Sequence, residues 1–356
     1  MKRFGNLYKQ ICSIDNLKEA HKNAKKGKGW YKEVREVDEH LEEYLLKLQE
    51  MLVNHTYHTS SYVKFIKLEN GKEREIYKLP YFPDRIAQWA IIQIIEPYLL
   101  KTLTPYTYSA IPKRGIHAAL YDVEVAVRND VPGCQYCYKF DVKKYYQSIN
   151  HTILKQKFRR IFKDPELLWL LDEIIDSIET GLEPDTGIPI GNYISQYCGN
   201  LYLSSFDHWI KEVKGVKHVF RYMDDILIFG QTKEELHTLR NEVEAYFEQE
   251  LKLHIKDNWQ IFPTYIRGVD FVGYRVFLNY TLLRKETCKK FKCKMNSIQK
   301  KTKGGKLMSY SERCSVNSYK GWLKHCDSYR LHKKYITPIE PDTEKFYTTV
   351  IKRKAA

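Results

Sequence analysis

The sequence predicts an α+β fold in which helices pack around short apolar β-hairpins. Apolar residues recur at helical spacing within residues 1–60 and again in the segments that follow positions 150, 164 and 232. Residues 61–80 and 220–229 instead combine short apolar runs with turn residues, which is the pattern of β-hairpins. A chain of 356 residues exceeds what one compact core usually holds, so two or three subdomains are expected.

The composition favours a polyanionic partner. The chain has 59 Lys and Arg residues against 44 Asp and Glu, a net charge of +15. Such an excess attracts nucleic acid first and an anionic membrane surface second, and a basic protein with neither ligand is the alternative. The most apolar stretch, residues 86–100, is too short and too polar to span a bilayer, so no membrane partner is expected.

The eight cysteines do not form a recognisable disulfide framework, because they are scattered through a long chain. Cys134 and Cys137 form a single CxxC pair without the second pair or paired histidines of a zinc finger, which favours reduced structural thiols. The N-terminus has no apolar signal-peptide segment. We therefore expect a reducing, cytoplasmic compartment.

The first half of the chain begins with helices and a hairpin. Residues 1–60 are predicted to be helical, with one amphipathic run over residues 37–52 and a basic loop formed by Lys22, Lys25, Lys26 and Lys28. That loop is either a phosphate-contacting arm or a solvated linker. Asn70-Gly71 predicts the hairpin turn within residues 61–80. A helix is expected to open at residues 83–85, and residues 106–115 are expected to form a loop.

Further helices follow in the second half. Asn150 and the Asp164-Pro165 pair predict helix starts, and Asn192 is a candidate N-cap after the turn between Gly187 and Gly191. Residues 252–256 are predicted to form a basic strand. Residues 284–306, dense in lysine, predict a helix laid along phosphates, with a disordered tether as the alternative. From about residue 338 a frayed polar tail is expected.

Adjacent acids interrupt the apolar hairpin of residues 220–229. Asp224 and Asp225 lie at its predicted tip, where like charges repel and burial is costly, so a divalent cation would stabilise them. An exposed acidic turn is the simpler interpretation of this pair alone. Asp141, however, ends another short apolar strand. Carboxylates on neighbouring strands can hold two Mg²⁺ ions roughly 3.5–4 Å apart, as in phosphoryl transfer.

These motifs resemble the reverse transcriptases. The hallmark of that family is Tyr222-Met223-Asp224-Asp225, and Phe140-Asp141 and residues 271–274 (Phe-Val-Gly-Tyr) match two further blocks. The resemblance implies a right-hand polymerase with fingers, palm and a short helical thumb. It implies RNA-directed DNA polymerase activity. The predicted divisions are residues 1–60 as a helical basic extension, 61–135 as fingers, 136–283 as palm, and 284–356 as thumb and tail.

The resemblance also implies roles for individual residues. Asp141, Asp224 and the Val142 carbonyl would hold two Mg²⁺ ions, with Mn²⁺ as an alternative, and Asp225 would assist them. Template RNA, a primer or cDNA strand and dNTPs are the implied partners. The implied nucleotide contacts are Lys67, Arg74, Val142, Tyr146 as the sugar gate, Ile190, Gly191 and Lys256. The candidate nucleic-acid contacts are Lys113, Arg114, Lys285, Lys289, Lys290, Lys292 and Lys294.

One departure from the common family pattern points to a branch. Ile190 and Gln196 stand where most reverse transcriptases have Gln and Pro, and this pattern resembles the enzymes of diversity-generating retroelements. That resemblance implies a bacterial or phage-encoded enzyme that makes cDNA with errors at adenines. It also implies a small basic multimeric accessory protein. The alternatives are a group II intron-like or phage-defence reverse transcriptase and, in a different class, a catalytically silent RNA-binding scaffold.

Overall fold

The computed structural model describes residues 3–69, 71–178, 180 and 183–343. These residues form two compact units, each with its own core. The first unit comprises Met1–Pro112, Lys139–Ile228 and His237–Gln260, and the second comprises Lys113–Tyr138, Phe229–Leu236 and Ile261–Ala356. None of the helices in the described ranges is long and apolar enough to cross a membrane.

Helices contribute most of the structure. In chain order they are α1 (Tyr8–Ile11), α2 (Ile14–Ala24), α3 (Lys32–Glu39), α4 (Leu41–Val53), α5 (Ile86–Leu100), α6 (Ile116–Asn129), α7 (Tyr145–Ser148), α8 (His151–Ile161), α9 (Pro165–Asp176), α10 (Tyr193–His208), α11 (Lys233–Glu250), α12 (Thr264–Arg267), α13 (Lys285–Lys303), α14 (Tyr310–Leu323) and α15 (Tyr329–Leu331).

Strands form three separate sheets. They are β1 (Val63–Glu69), β2 (Lys72–Lys78), β3 (Thr107–Tyr108), β4 (Tyr136–Asp141), β5 (Val219–Tyr222), β6 (Asp225–Gly230), β7 (Gln260–Pro263), β8 (Val269–Phe271), β9 (Tyr274–Val276) and β10 (Thr281–Leu283). The sheets have the strand orders β1-β2, β10-β9-β8 and β3-β5-β6-β4-β7. The predicted α+β fold is therefore confirmed.

The central sheet contains both antiparallel and parallel strand pairs. Strands β5 and β6 are antiparallel, but β3 runs parallel to β5. Strand β3 lies in residues 106–115, which the sequence predicted to be a loop. Thr107 and Tyr108 are buried there, and the Arg221 backbone N–H donates to the Tyr106 carbonyl oxygen at 3.0 Å. Burial and this backbone bond make a strand of a short segment that has little local strand signal.

The helical predictions hold with local corrections. Asn150 caps α8 by accepting from the Ile153 N–H at 3.0 Å, and α9 begins at Pro165 as expected. The predicted run over residues 37–52 is divided into α3 and α4 at His40, whose φ is −123°. The predicted strand at residues 252–256 is wrong, because only Ile255 pairs, in a single bridge with Val142.

Helix α10 occupies the centre of the first unit. Most of its residues are buried, including Asn200 and Asp207, which are 1% and 3% exposed. A helix buried on nearly all sides must satisfy its polar side chains internally. The N-cap Asn192 does not cap through its side chain and instead donates from Nδ2 to the Tyr62 hydroxyl at 2.9 Å.

In the second unit, the lysine-rich segment forms the predicted helix, α13. Phe291, Met295 and Ile298 are buried at helical spacing, and most of the lysines are exposed. The disordered tether is therefore excluded. The expected polar tail is wrong for residues 338–343, since Ile339 is buried and Glu340 pairs with Lys320 at 2.6 Å. The rest of the expected tail lies outside the described residues.

No disulfide joins any of the eight cysteines in the described residues, and both members of the CxxC pair are buried. Their burial fits a structural role, since a buried thiol in apolar surroundings is unreactive.

Candidate active site

The hairpin β5–β6 carries two of the predicted acids. Tyr222 pairs with Asp225, which leaves Met223 and Asp224 as a two-residue turn, as predicted. Met223 adopts a left-handed conformation, with φ of 58°, and is 8% exposed. A β-hairpin needs positive φ in such a turn to follow the twist of its strands. The strands on both sides are buried, so the turn is held by the core of the first unit.

Asp141 and Asp224 come together at the tips of their strands. Burial and the adjacent Asp141 carboxylate raise the pKa of Asp224 to about 7. Two carboxylates that share a poorly hydrated space resist carrying two charges at once. The structure therefore brings the two predicted metal ligands into one site.

Two lysines neutralise this acidic cluster. Lys256 Nζ lies 2.8 Å from Asp141 Oδ2, and Lys139 Nζ lies 3.3 Å from Asp225 Oδ1. Lys256 is held beside the acid by its own backbone, because its N–H donates to the Asp141 carbonyl oxygen at 2.9 Å. Asp225 is thus engaged by a lysine, whereas Asp224 faces another carboxylate.

The donor set at this cluster suits a hard divalent cation. Asp141 Oδ1 is buried and has no hydrogen-bond partner within the described residues. The bridge between Val142 and Ile255 is made by bonds from the flanking residues, Lys143 to His254 and Lys256 to Asp141. The Val142 carbonyl therefore points to the other side of its strand. Mg²⁺ prefers such oxygen ligands. No group of three or more His, Cys, Asp or Glu side chains is arranged as metal ligands in the part of the chain that the structure describes.

Tyr146 lies next to this cluster, as the predicted gate must. Burial and the nearby Asp224 charge both raise the pKa of its hydroxyl. Helix α10 approaches closely at Gly199, where an added Cβ would lie 3.1 Å from Met223 Sδ and 3.7 Å from Tyr146 Cε1. The Tyr145 hydroxyl donates to the Gly199 carbonyl oxygen at 2.5 Å. The helix, the gate and the acidic turn are therefore packed against one another.

The hairpin β1–β2 carries the predicted triphosphate contacts. Lys67 and Arg74 are directly opposite each other in its register, and both are exposed. The predicted Asn70-Gly71 turn falls partly on Asn70, which lies outside the described residues, and Gly71 has φ of 76°.

Ile190 and Gly191 contact the base of that hairpin. The Tyr77 N–H donates to the Ile190 carbonyl oxygen at 3.0 Å. Gly191 has φ of 128°, and a Cβ there would lie 2.6 Å from the Tyr77 carbonyl oxygen. The sequence suggested that this glycine allows a ligand to approach. The close approach in the structure is to strand β2.

A basic cavity of about 350 Å³ lies in the first unit beside this contact. Its lining includes Lys28, Lys78, Arg85 and Gly191. Burial and the neighbouring Arg85 and Lys78 lower the pKa of Lys28, which shows that the three cations are close. Glu33 compensates one of them, at 3.1 Å from Lys78. Lys28 of the predicted basic loop therefore lies beside the hairpin β1–β2.

The remaining predicted residues lie in the second unit. Lys113 is exposed with φ of 65°, and Arg114 is half-buried. The five lysines of the prediction lie on α13, where four are exposed and Lys292 is half-buried.

The sequence interpretation missed three residues of the acidic site. Lys139 was seen only as part of a strand, Asp207 was not noticed, and Arg221 was given no role. A charged residue inside the apolar strand β5 was the one available signal, because such a side chain needs a buried partner.

The family comparison decides the class of this site. Residues 66–276 match the family of reverse transcriptases (RNA-dependent DNA polymerases). The chain belongs to this family. The match includes Asp141, Asp224 and Asp225, and it confirms the predicted reverse transcriptase family together with the right-hand polymerase fold.

Individual relatives and solved structures share 25% sequence identity or less with this chain. Protein YkfC of Escherichia coli K12 is 25% identical over 250 residues, covering 60% of this chain and 65% of YkfC. The group II intron-encoded protein LtrA of Lactococcus lactis subsp. cremoris is 23% identical over 219 residues, covering 59% of this chain and 36% of LtrA. The apo telomerase of Candida tropicalis is 12% identical with a TM-score of 0.49, covering 66% of this chain and 50% of that one. The match therefore spans just under two thirds of YkfC and about a third of LtrA.

Proposed function

We propose that this reverse transcriptase extends a DNA primer on an RNA template with dNTPs. The observation that carries the proposal is the pair of adjacent carboxylates, Asp141 and Asp224, at the tips of two strands, with the pKa of Asp224 raised to about 7. Such a site is unfavourable without a bound cation and favourable with one.

Asp141, Asp224 and the Val142 carbonyl would hold two Mg²⁺ ions, which when bound supply charge stabilisation for the transfer of a nucleotidyl group. The buried, unbonded Asp141 Oδ1 supports this assignment. Mn²⁺ would fit the same oxygen donors. Lys256, whose Nζ lies 2.8 Å from Asp141 Oδ2, would contact the departing pyrophosphate.

The other residues of the site would position the nucleotide. Lys67 and Arg74, opposite each other on β1 and β2, would bind the triphosphate oxygens as a cationic pair. Tyr146, packed near Asp224, would exclude a ribose 2′-hydroxyl by direct contact. Selection of dNTPs over rNTPs would follow from that contact.

The template RNA would use the basic surfaces. The cavity lined by Lys28, Lys78 and Arg85 adjoins β2 and Gly191, and its cations suit the phosphates of a single strand. Exposed Trp30 and Tyr31 stack with a centroid distance of 4.1 Å next to it and would offer a ring face to a base. The lysines of α13 would bind duplex phosphates.

Primer extension tests the proposal. The purified chain is incubated with an RNA template, an annealed DNA primer, dNTPs and Mg²⁺. We expect extension that EDTA abolishes and that Asp141→Asn reduces to background. The exposed Asp257→Asn, close in sequence to Lys256, is the matched control and should extend normally. A wild-type chain that binds the template and primer but never extends the primer would support the RNA-binding scaffold instead.

The finer assignment concerns the branch of the family. We infer that the enzyme belongs to a diversity-generating retroelement, working with a small basic multimeric accessory protein and making errors opposite adenines. The Ile190-Gly191 pattern supports this. The relative LtrA instead favours the group II intron-like alternative. Sequencing cDNA made on one RNA with and without a candidate accessory protein separates the two. An excess of errors at template adenines supports the retroelement, and accurate copying supports the intron-like enzyme.

A further inference from the structure

The structure contains a buried ion pair directly beneath the acidic turn. Arg221 lies on β5 and is 1% exposed, and Asp207 lies on α10 and is 3% exposed. Arg221 Nε donates to Asp207 Oδ1 at 2.7 Å, and Nη2 donates to Asp207 Oδ2 at 2.5 Å. This is a bidentate pair, the geometry in which a guanidinium is most firmly fixed.

The remaining donors of Arg221 reach the turn and α10. Nη1 donates to the Met223 carbonyl oxygen at 3.0 Å and lies 3.4 Å from Asn200 Oδ1. Nη2 also lies 3.3 Å from the Asn200 carbonyl oxygen. A guanidinium has five N–H groups, and each one here has an acceptor.

The bond to Met223 has a specific consequence for Asp224. The Met223 carbonyl belongs to the planar peptide group that joins Met223 to Asp224. A hydrogen bond that fixes this oxygen therefore also fixes the orientation of the Asp224 backbone N–H. The Met223 backbone is also held at a left-handed φ of 58°, which residues other than glycine adopt with strain. A strained turn persists only where its surroundings hold it.

Stability alone does not account for the pair. A buried ion pair can often be replaced by apolar residues of similar volume without loss of stability. The neighbouring residues Phe220 and Phe206 are apolar and buried, and the other polar partners of the pair are Asn200 and Thr107, whose hydroxyl donates to Asp207 Oδ2 at 3.0 Å. What an apolar pair cannot supply is a donor for the Met223 carbonyl.

We propose that Arg221, held by Asp207, is a positioning residue that fixes the Met223-Asp224 peptide and thereby aims the Asp224 carboxylate. It acts through the turn and does not touch substrate. The inference rests on the proposed function only for its kinetic test, because cation binding can be measured without polymerisation.

The double variant Arg221→Met with Asp207→Leu tests the proposal. We expect the variant to fold with a thermal midpoint somewhat below that of the wild type, because the apolar pair fills a similar volume but leaves the acceptors of Met223 and Asn200 without a donor. Mn²⁺ binding, measured by electron paramagnetic resonance without nucleic acid, should weaken about tenfold, and kcat should fall about 100-fold, with KM for dNTP little changed, since misplacing a reacting group has effects of this order.

Lys157→Met is the matched control. Lys157 is buried on α8, its Nζ donates to Ser205 Oγ of α10 at 2.6 Å, and it interacts electrostatically with Asp207 and Arg221. The substitution therefore removes a buried charge near the pair but keeps the bond from Arg221 to Met223, so cation affinity and kcat should stay within about twofold of the wild type.

Arg221→Lys keeps the test decisive if the double variant does not fold. Lysine retains the charge opposite Asp207 but lacks the fork that also reaches Met223. Weaker Mn²⁺ binding and lower kcat in this folded variant support the proposal. Either folded variant with wild-type Mn²⁺ affinity and kcat overturns it. A wild-type chain that binds Mn²⁺ but never extends a primer would refute the proposed function. The positioning role of Arg221 would then be tested by the Mn²⁺ affinities of the variants alone.

Discussion

Two hairpins, β1–β2 and β5–β6, carry candidate functional side chains. They differ in how deeply their strands are buried. Strands β5 and β6 are buried along most of their length. In β1, by contrast, the apolar residues Val63, Ile66 and Leu68 are 63%, 62% and 71% exposed. Apolar exposure on this scale means that few contacts hold β1–β2 in one position.

The difference fits two separate tasks. In the proposed function, the buried hairpin would hold Asp224 where Asp141 can share a cation with it, and this requires fixed geometry. The exposed hairpin would present Lys67 and Arg74 to a flexible triphosphate, and its base contacts Ile190 and Gly191. We therefore propose that the hairpin β5–β6 serves the chemical step and that the hairpin β1–β2 captures the nucleotide.

The largest expected effect comes from Asp224→Asn in the buried hairpin. The maximal rate of nucleotide addition should fall about 10³-fold or more, because a cation ligand is lost while the shape is kept. The measurement is single-turnover primer extension at saturating dNTP. Extension within tenfold of the wild-type rate would contradict the assignment.

The same variant should be more stable than the wild type without metal. Burial raises the folded pKa of Asp224 to about 7, above its unfolded value of 3.8, so ionising it costs folding free energy as pH rises through this window. In EDTA at pH 8 the thermal midpoint of Asp224→Asn should exceed that of the wild type. The gap should narrow as pH falls below 7 and should close near 3.8, where the acid is protonated in the unfolded chain as well.

Arg74→Gln in the exposed hairpin should have the next largest effect. Loss of a charged hydrogen bond to phosphate should lower kcat/KM for dNTP by about 10- to 100-fold, mostly through KM. Lys64→Gln on the same hairpin is the control, since Lys64 pairs with Glu75 at 2.7 Å and should leave kcat/KM unchanged. Equal effects of the two substitutions would mean that the hairpin contributes only general positive charge.

Substitution of the α13 lysines tests whether the second unit also binds nucleic acid. Replacing Lys285, Lys289 and Lys294 with Gln should weaken binding of a template-primer duplex about equally across sequences, by about tenfold. The slope of log affinity against log salt should become shallower by about 0.9 for each phosphate that the variant no longer neutralises. An unaltered slope would reassign this helix to a protein contact.

Ile190→Gln should have the smallest effect, because it changes one side chain beside the base of the hairpin β1–β2 and keeps the carboxylates and the cationic pair. Gln could add a polar contact near the incoming nucleotide, worth about three- to tenfold in discrimination. We expect fewer errors, mainly opposite template adenines, with a smaller change in rate, as read by sequencing cDNA from both enzymes. An equal decline at all four bases, or none, would separate Ile190 from the error bias.

Local sequence signals predicted both hairpins and their turns, because a two-residue turn between apolar strands is specified by nearby residues. The meeting of Asp141 with Asp224 was predicted from the family motifs. Burial was not predictable in the same way. Nothing local distinguishes the exposed Ile66 of β1 from the buried Ile226 of β6, since the difference depends on what packs against each strand.

Partners that are far apart in sequence were also missed. Arg221 donates hydrogen bonds to Asp207 on α10, and Lys139 of β4 forms an ion pair with Asp225 of the neighbouring strand β6. Strand β3 exists because it pairs with β5, more than 100 residues later in the chain. Each of these contacts depends on the assembled sheet, and the one local signal, the charge of Arg221 inside apolar β5, does not identify its partner.

Single-turnover extension over a range of dNTP concentrations tests the division of tasks most directly. It separates the maximal rate of nucleotide addition from the apparent Kd for dNTP, and it is applied to the wild type, Asp224→Asn and Arg74→Gln on one RNA template. The account predicts that Asp224→Asn lowers the maximal rate with little change in Kd, and that Arg74→Gln raises Kd with a smaller loss of rate. If both variants alter the same parameter, or if Asp224→Asn retains the wild-type rate, the two hairpins do not divide chemistry from capture.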